Sequence, residues 1–155
     1  MCGIAGIIGE KYQIEKKIKF LNKSIFHRGP DDNGFYIDKS LNIGLTSTRL
    51  SIIGIEEGKQ PKISDDKKIV IFFNGEIFNY KELIKKYLDK DNQIKSDTEV
   101  ILKLYLKFGI SFLDKLNGMF AISIYDKRKN ILYLIKDRFG IKPLYFYNLK
   151  KKIIF

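Results

Sequence analysis

The stretch MCGIAGIIGE (residues 1–10) places Cys2, the only cysteine of the 155-residue chain, directly behind the initiator methionine. An inert, buried structural cysteine could stand anywhere in a sequence. If Met1 is removed, however, Cys2 becomes the N-terminal residue and its α-amine lies beside its own thiol. The reference pKa of an α-amine is about 7.7–8.0, close to the value that suits a general base near neutral pH. Position 2 therefore favours an N-terminal cysteine nucleophile.

A cysteine nucleophile can instead take its base from a histidine, as in cysteine proteases. The only histidine, His27, stands in HRGPDD (residues 27–32), a sequence rich in helix breakers. Fixing this loop by hydrogen bonds is the simpler role for His27, and a histidine base gives no reason for a cysteine at position 2. The pairing of Cys2 with His27 remains the less favoured alternative.

The length and composition indicate one globular domain with a packed core, since 45% of the residues are hydrophobic. Apolar runs such as IVIFF (residues 69–73) are far shorter than the roughly 18 residues of a membrane-spanning helix. The apolar start lacks the basic region of a signal peptide. A single cysteine forms no intrachain disulfide, which favours a reducing, cytoplasmic location.

The formal net charge of +11 could suggest a nucleic-acid partner. The lysines are scattered along the chain, however, so the charge indicates a compositional bias, and we expect no nucleic-acid partner. Arginine is rare in this background, and its planar fork binds carboxylates in a way that lysine cannot imitate. We therefore expect Arg28, Arg49 and Arg138 to bind carboxylates, and we interpret Arg128, in a predicted turn, as a surface residue.

Several cofactor motifs are missing from the sequence. It contains no Gly-x-x-x-x-Gly-Lys phosphate loop and no Cys-x-x-Cys pair, and one histidine cannot build a multi-histidine metal site. The glycines of GIAGIIG (residues 3–9) do not match the Gly-x-Gly-x-x-Gly dinucleotide motif. The sequence predicts neither a metal nor a nucleotide cofactor in this domain.

Helices are predicted where apolar residues recur with a helical period. Residues 14–25 carry such a stripe and should end before the breaker-rich loop at residue 27. Two further helices open with capping boxes, Asn79-x-x-Glu82 and Ser96-x-x-Glu99. The third should bury Val100, Ile101, Leu104 and Phe108 and end at Gly109.

Strands are predicted on both sides of these two helices: GFYID, NIGLTSTRLSIIG, KIVIFFNGEIFN, MFAISIYD and NILYLIKD. The last two flank KRKN (residues 127–130) as a hairpin. The pattern favours an α+β class with packed antiparallel sheets. The chain finishes on KKKIIF (residues 150–155) inside a predicted strand, so we expect the C-terminal end of the domain to be truncated.

Asn74 and Gly75 stand in FFNGEIFN (residues 72–79) between two apolar runs. Asn-Gly in this setting is a strong signal for a β-hairpin turn. Asn74 also offers a side-chain amide and Gly75 an unobstructed N–H, which are the donors that a developing oxyanion needs. If the substrate is an α-amino acid, Arg49 could bind its carboxylate and Asp97 its ammonium, although Asp97 could equally cap a helix.

Ordered motifs run along nearly the whole chain: MCGIAGIIG, HRGPDDNG, TRLSIIGIEEGKQP, FFNGEIFNY, KSDTEVIL, LNGMFAISIYD and DRFGIKPLYFY. Together they resemble a class II glutamine amidotransferase domain, one of the N-terminal nucleophile hydrolases. The stretches HRGPDD and NGEIFN are similar to the glutaminase domain of the asparagine synthetase family. They differ from sister amidotransferases that make glucosamine phosphate or phosphoribosylamine.

The resemblance implies an α+β, four-layer αββα fold, and it makes residues 1–155 a glutamine amidotransferase type 2 domain. It implies that Cys2 attacks the side-chain amide of glutamine after loss of Met1, and that Asn74 and Gly75 form the oxyanion hole. Arg49 would bind the α-carboxylate of glutamine and Asp97 its α-ammonium. The same pocket would also be lined by Leu50, Ser51, Ile52, Ile53 and Glu76.

In the family, a larger domain follows that activates aspartate with ATP and magnesium and receives the ammonia. This chain contains no such region, so we expect a synthetase domain or subunit as partner and no ATP, metal or other cofactor in this domain. Two alternatives stay open: delivery of ammonia to another acceptor, such as a sugar or a cell-wall carboxylate, and a non-catalytic remnant that regulates a partner synthetase. A retained Met1 would block the α-amine of Cys2 and favour the remnant.

Overall fold

The computed structural model describes residues 2–50, 58–88 and 94–155. The strands are β1 Gly3–Ile8, β2 Asp32–Asp38, β3 Ile43–Arg49, β4 Lys62–Ile63, β5 Ile69–Ile77, β6 Gly118–Asp126, β7 Ile131–Lys136, β8 Tyr147–Leu149 and β9 Lys152–Ile154. The α-helices are α1 Ile14–Ser24, α2 Tyr80–Tyr87 and α3 Asp97–Phe108, and short 3-10 helices cover Phe26–Arg28 and Gly109–Lys115. No helix in the described part of the chain is long and apolar enough to cross a membrane.

Two antiparallel sheets form the middle of the molecule. The first has the strand order β2-β3-β1-β9-β8 and the second the order β4-β5-β6-β7. Ile43, Leu45, Val70, Phe72 and Tyr125 form the apolar layer between the sheets. Burial of such side chains from both sheets holds them face to face.

Helices cover the outer face of each sheet. On the first sheet, Ile14 and Ile18 of α1 pack on Ile7 of β1. On the second, α2 and α3 contribute Leu83 and Leu104, among others, to the largest core cluster. The order helix, sheet, sheet, helix confirms the predicted four-layer αββα arrangement.

Strand alternation decides which side chains face the inter-sheet layer at one end of the molecule. In β3, Ile43 and Leu45 face this layer, and Arg49 shares their side of the strand. In β5, Val70 and Phe72 face it, and Asn74 follows in the same phase. Cys2 precedes β1, whose Gly3 pairs with Thr48, so Cys2 lies next to Arg49 in the register.

The local helix predictions are confirmed for α1 and α3. Ile14 and Ile18 of α1 are buried as the apolar stripe requires, and the helix ends at Ser24. At the start of α3, Oγ of Ser96 accepts a 3.3 Å hydrogen bond from N–H of Glu99. The helix ends at Phe108, which is only partly buried, and Gly109 follows as the C-cap with a φ of 58° that suits glycine.

The capping box predicted at Asn79 is not formed, because the Asn79 side chain makes no capping hydrogen bond. Its Nδ2 donates to the carbonyl of Lys115, and its Oδ1 accepts from the N–H of Asn117, both at 3.0 Å. Asn79 therefore anchors the start of α2 to the segment before β6. The helix itself forms as predicted.

The hairpin interpretation of Asn74-Gly75 is wrong. Strand β5 continues through both residues, with Asn74 opposite Ala121 and Gly75 opposite Phe120 of β6. A Cβ on Gly75 would overlap the carbonyl oxygen of Met119, so glycine is needed for the close approach of β5 and β6. The hairpin predicted at KRKN does form, between β6 and β7.

Three arginines have partners other than those predicted from the sequence. Arg128, interpreted as a surface residue, makes the bidentate pair: its Nε lies 3.0 Å from Oδ1 and its Nη2 2.7 Å from Oδ2 of fully buried Asp126. Arg28 and Arg138 donate to backbone carbonyls, those of Cys2 at 3.4 Å and Leu116 at 3.0 Å. Within residues 2–50, 58–88 and 94–155, neither of these two arginines pairs with a carboxylate, contrary to the prediction.

Candidate functional site

A cavity of about 240 Å³ opens at the end of the inter-sheet layer. It is lined by these residues predicted from the sequence: Cys2, Arg49, Leu50, Asn74, Gly75, Glu76 and Asp97. The other predicted pocket residues, Ser51, Ile52 and Ile53, lie outside the described residues. A larger, more open depression around Tyr36, Asp38 and Lys127 contains none of the predicted residues. The smaller cavity is therefore the candidate active site.

Cys2 is partly exposed and its thiol is not in a disulfide. Its carbonyl accepts the hydrogen bond from Nε of Arg28, which ties the N-terminal residues to the 3-10 helix after α1. His27, in the same 3-10 helix, is exposed and does not line the cavity. The structure thus does not bring His27 to the site.

Arg49 is 7% exposed although it carries a charge. Its main chain is held by β2, because Asp32 is its ladder partner and its carbonyl accepts a 3.0 Å hydrogen bond from the N–H of Asp31. A guanidinium held at the wall of a cavity on a strand is a suitable partner for a carboxylate.

The N–H of Gly75 lies on the edge of β5 that faces away from β6. Opposite Gly75, Phe120 uses both main-chain groups elsewhere: its N–H donates to Oδ2 of Asp137 at 3.1 Å, and its carbonyl accepts from the N–H of Asp137 at 2.8 Å. The Gly75 pair is therefore the type without ladder hydrogen bonds. This arrangement turns the N–H of Gly75 toward the cavity side.

Two other groups occupy the same edge of β5, one on each side of Gly75. The N–H and the carbonyl of Phe73 bond to the side chain of Gln60, each at 2.8 Å. The N–H of Ile77 donates to Oδ2 of Asp97 at 3.3 Å. Gly75 thus stands between an amide-bonded residue and a carboxylate-bonded one, beside the Asn74 side chain.

The N-cap of α3 is Ser96, and Asp97 is the first residue of the helix. The alternative role of Asp97 as a helix cap is therefore filled by Ser96. Burial raises the pKa of Asp97 above its usual value, and the nearby charge of Glu76 adds to this effect. Hydrogen bonds from the N–H groups of Ile77 and Thr98 act in the opposite direction. A bound ammonium group would favour the ionised carboxylate.

Several residues of the cavity wall were not predicted from the sequence, among them Gln60, Tyr80, Met119 and Lys142. Lys142 is 7% exposed and follows a loop organised by Asp137, whose carboxylate accepts from the N–H groups of Phe120, Phe139, Ile141 and Lys142. Burial alone would raise the pKa of Asp137, but these donors hold it at about 2. Lys142 lies in the motif DRFGIKP (residues 137–143), whose family resemblance was the available signal.

The chemistry that this arrangement can perform is acyl transfer. It combines the Cys2 thiol, the Asn74 amide and Gly75 N–H of one strand, and charged side chains of both signs in the cavity wall. Across residues 2–50, 58–88 and 94–155, no group of three or more His, Cys, Asp and Glu side chains could hold a metal ion.

Comparison with protein families and curated sequences gives a consistent picture. The family described as "Glutamine amidotransferase domain" matches residues 1–155. Asparagine synthetase [glutamine-hydrolyzing] 2 of Bacillus subtilis is 43% identical over 160 residues, which cover 100% of this chain and 21% of that protein. Asparagine synthetase B [glutamine-hydrolyzing] of Escherichia coli is 42% identical over 149 residues, covering 94% and 26%.

A third relative is the putative asparagine synthetase [glutamine-hydrolyzing] 2 of Methanocaldococcus jannaschii, 43% identical over 165 residues, which cover 95% of this chain and 32% of that protein. The chain thus spans between 21% and 32% of the length of these three relatives. In each of them, the matching region is part of a larger chain.

Solved structures support the fold independently of close sequence likeness. The glutamine phosphoribosylpyrophosphate amidotransferase from B. subtilis, complexed with ADP and GMP, matches with a TM-score of 0.79 at 20% identity. The match covers 99% of this chain and 41% of that one. A second structure, of the allosteric regulatory enzyme of purine biosynthesis, gives the same TM-score at 18% identity. At these identities the likeness concerns the fold alone.

Proposed function

This chain belongs to the glutamine amidotransferase domain family, and from that premise we propose that it hydrolyses glutamine to glutamate and ammonia through a thioester on Cys2. The observation that carries the proposal is that Cys2, just before β1, and Arg49 of β3 meet Asn74 and Gly75 of the other sheet at a single cavity. A nucleophile and two oxyanion donors are the groups that amide hydrolysis requires.

In the first half of the reaction, the sulfur of Cys2 attacks the side-chain amide carbon of glutamine while the α-amine of Cys2 takes the thiol proton. The tetrahedral oxyanion is held by the Asn74 side chain and the N–H of Gly75. The α-ammonium then gives its proton to the leaving nitrogen. The C–N bond breaks, ammonia leaves, and the thioester remains.

In the second half, water replaces ammonia as the partner of the α-amine. The amine takes a proton from water as its oxygen attacks the thioester carbon, again with the oxyanion held by Asn74 and Gly75. The C–S bond breaks, the thiolate takes back the proton, and glutamate is released. This scheme needs a free α-amine, and hence removal of Met1.

Recognition of glutamine is assigned to the charged wall of the cavity. Arg49 binds the α-carboxylate and Asp97 the α-ammonium, and Glu76 lies beside Asp97. We assign Leu50, Ser51, Ile52 and Ile53 to the same pocket. A free thiol nucleophile suits a reducing, cytoplasmic setting.

The ammonia is proposed to serve ATP-dependent synthesis of asparagine from aspartate on a synthetase domain or subunit, because the relatives are named glutamine-hydrolysing asparagine synthetases. ATP and magnesium would act on that larger part of the enzyme. Association with a different partner would indicate delivery of the ammonia to another acceptor. A pocket that binds glutamine without turnover would indicate an inactive domain that regulates a partner synthetase.

The decisive experiment measures glutamate release from glutamine by this chain, with Cys2→Ala as the blank. Loss of Met1 is verified first by mass spectrometry of the intact protein. We expect turnover that disappears in Cys2→Ala. Equal glutamate release by both proteins, or none by a chain that lacks Met1, would contradict the proposal.

A further inference from the structure

The side chain of Gln60 makes the two hydrogen bonds that a neighbouring β-strand would make with β5. In the ladder between β4 and β5, Lys62 pairs with Ile71 and Ile63 with Val70, so the next position of the same type places Gln60 opposite Phe73. There the carboxamide replaces a main-chain partner: Nε2 donates to the carbonyl of Phe73 and Oε1 accepts from its N–H, each at 2.8 Å. A carboxamide offers one donor side and one acceptor, as a peptide group does.

Gln60 is itself held firmly. Its carbonyl oxygen lies against Gly34 of β2 so closely that a Cβ at position 34 would overlap it. Gln60 is half-buried and its side chain also contributes to the wall of the cavity. The contact with β2 connects the second sheet, through Gln60, to the first.

The contact between Gln60 and Phe73 lies directly beside the predicted oxyanion donors. Phe73 is joined directly to Asn74, so the plane of the peptide between them is fixed on one side by Gln60. The next main-chain donor on that edge is the N–H of Gly75, and the one after it, of Ile77, is held by Asp97. A main-chain strand continuing past Gln60 would cover the N–H of Gly75, whereas the side chain of Gln60 ends the ladder at Phe73, two residues earlier.

We propose that Gln60 is a positioning residue for the oxyanion hole: it aligns Phe73, and through it the Asn74 amide and the Gly75 N–H, and it leaves that N–H open to substrate. The inference rests on the proposed glutaminase function. Because a catalytic group must lie within about 0.5 Å of its productive position, loosening this edge lowers the rate of the chemical step more than it weakens glutamine binding.

Two variants of Gln60 and one control test this role. Gln60→Ala removes both hydrogen bonds, and Gln60→Glu keeps the volume but sets a carboxylate oxygen against the carbonyl of Phe73. The control is Ser64→Ala, because Oγ of Ser64 accepts from the N–H of Ile69 at 2.9 Å at the far end of the same strand. It removes a comparable side-chain contact with β5, away from the cavity.

We expect kcat for glutamine hydrolysis to fall about 10- to 100-fold in both Gln60 variants, with little change in KM. Ser64→Ala should keep the wild-type kcat even though its melting temperature also falls. Alkylation of Cys2 by iodoacetamide should proceed at the wild-type rate in all three variants, because substitution at a saturated carbon forms no oxyanion. Loss of hydrolysis with retained alkylation separates a displaced oxyanion hole from a collapsed site.

Wild-type kcat in Gln60→Ala, rescue by Gln60→Glu, or equal losses of hydrolysis and alkylation would overturn the inference. The first outcome would remove any positioning role, the second would reduce Gln60 to a space-filling residue, and the third would indicate general unfolding of the site. A wild-type chain without glutaminase activity would overturn the proposed function itself, and it is recognised before any variant is measured.

Discussion

The carboxylate of Asp97 joins the end of β5 to the start of α3, since its Oδ2 accepts a 3.3 Å hydrogen bond from the N–H of Ile77 and its Oδ1 accepts a 2.8 Å bond from the N–H of Thr98. The same carboxylate lines the cavity beside Glu76. A group that connects two elements in this way is pre-oriented for a cationic ligand. If Asp97 binds the ammonium group of the substrate, protonation of its carboxylate should change the affinity for glutamine.

Glutamine binding should weaken at acidic pH. Burial, and then the charge of Glu76, raise the pKa of Asp97, and the protonated form offers no charge to the substrate ammonium. KM should therefore rise as the pH falls through this raised pKa. Asp97→Asn should raise KM and flatten the profile, while Glu76→Gln should move the rise to lower pH. A profile that is the same in wild type and Asp97→Asn would exclude Asp97 as the ammonium partner.

Removal of the Asn74 amide should affect the chemical step. Asn74→Ala should lower kcat about 100- to 1,000-fold, the usual effect of losing one oxyanion donor, with KM nearly unchanged. The control is Asn79→Ala, which loses the 3.0 Å bonds to Lys115 and Asn117 outside the oxyanion hole. It should lower the melting temperature and keep kcat. Steady-state kinetics of both variants would refute the assignment if their kcat values fell alike.

Arg49→Lys should raise KM for glutamine at least about 10-fold, because an ammonium cannot reproduce the planar fork that binds a carboxylate through two bonds. Arg128→Lys is the matched control, since Arg128 makes a bidentate pair with Asp126 away from the cavity. It should destabilise the fold and leave KM unchanged. An unaltered KM in Arg49→Lys would show that the carboxylate binds elsewhere.

The two base assignments for Cys2 predict opposite results. An uncleavable residue placed before Cys2 should abolish hydrolysis in a folded protein, because it converts the α-amine into an amide. His27→Ala should retain most of the activity, since His27 is exposed and outside the cavity wall. Glutamate assays with circular dichroism as the folding control decide the matter. An inactive, folded His27→Ala would mean that the α-amine is not the base.

Asp137 should contribute strongly to stability. Four N–H groups hold its pKa at about 2, despite burial, so its contribution is present above the unfolded-state pKa of about 3.9 and is lost as the pH falls toward 2. Asp137→Ala should lower the free energy of unfolding at neutral pH by about 3 kcal/mol. Urea titrations at pH 7 and pH 3 should show a smaller difference between wild type and variant at pH 3.

Structural features that depend on residues close together in the sequence were predictable. The stripe of α1 and the Ser96-x-x-Glu99 box involve neighbours within one or two helical turns, and both formed as predicted. The candidate site was predictable because Cys2 stands at position 2 and because the motifs resemble a known family. Those predicted site residues that the structure describes all line one cavity.

The failures involve partners that are distant in sequence or depend on strand register. Asn79 bonds to residues 36 and 38 positions away, which compete successfully with the local cap. Asn74-Gly75 has strong turn propensity, but pairing with β6 and the contact with Met119 keep it in a strand. Gln60 could not be recognised because its role exists only once β4 and β5 are in register.

The division of the catalytic groups between two sheets has a mechanical consequence. Cys2 directly precedes β1 of one sheet and Asn74 lies in β5 of the other, so the distance from nucleophile to oxyanion donor depends on how the two sheets pack across their shared apolar layer. A shift of about 1 Å in such a geometry can change a rate about 100-fold. Substitutions that change the packing of this layer would thus alter turnover without touching the cavity.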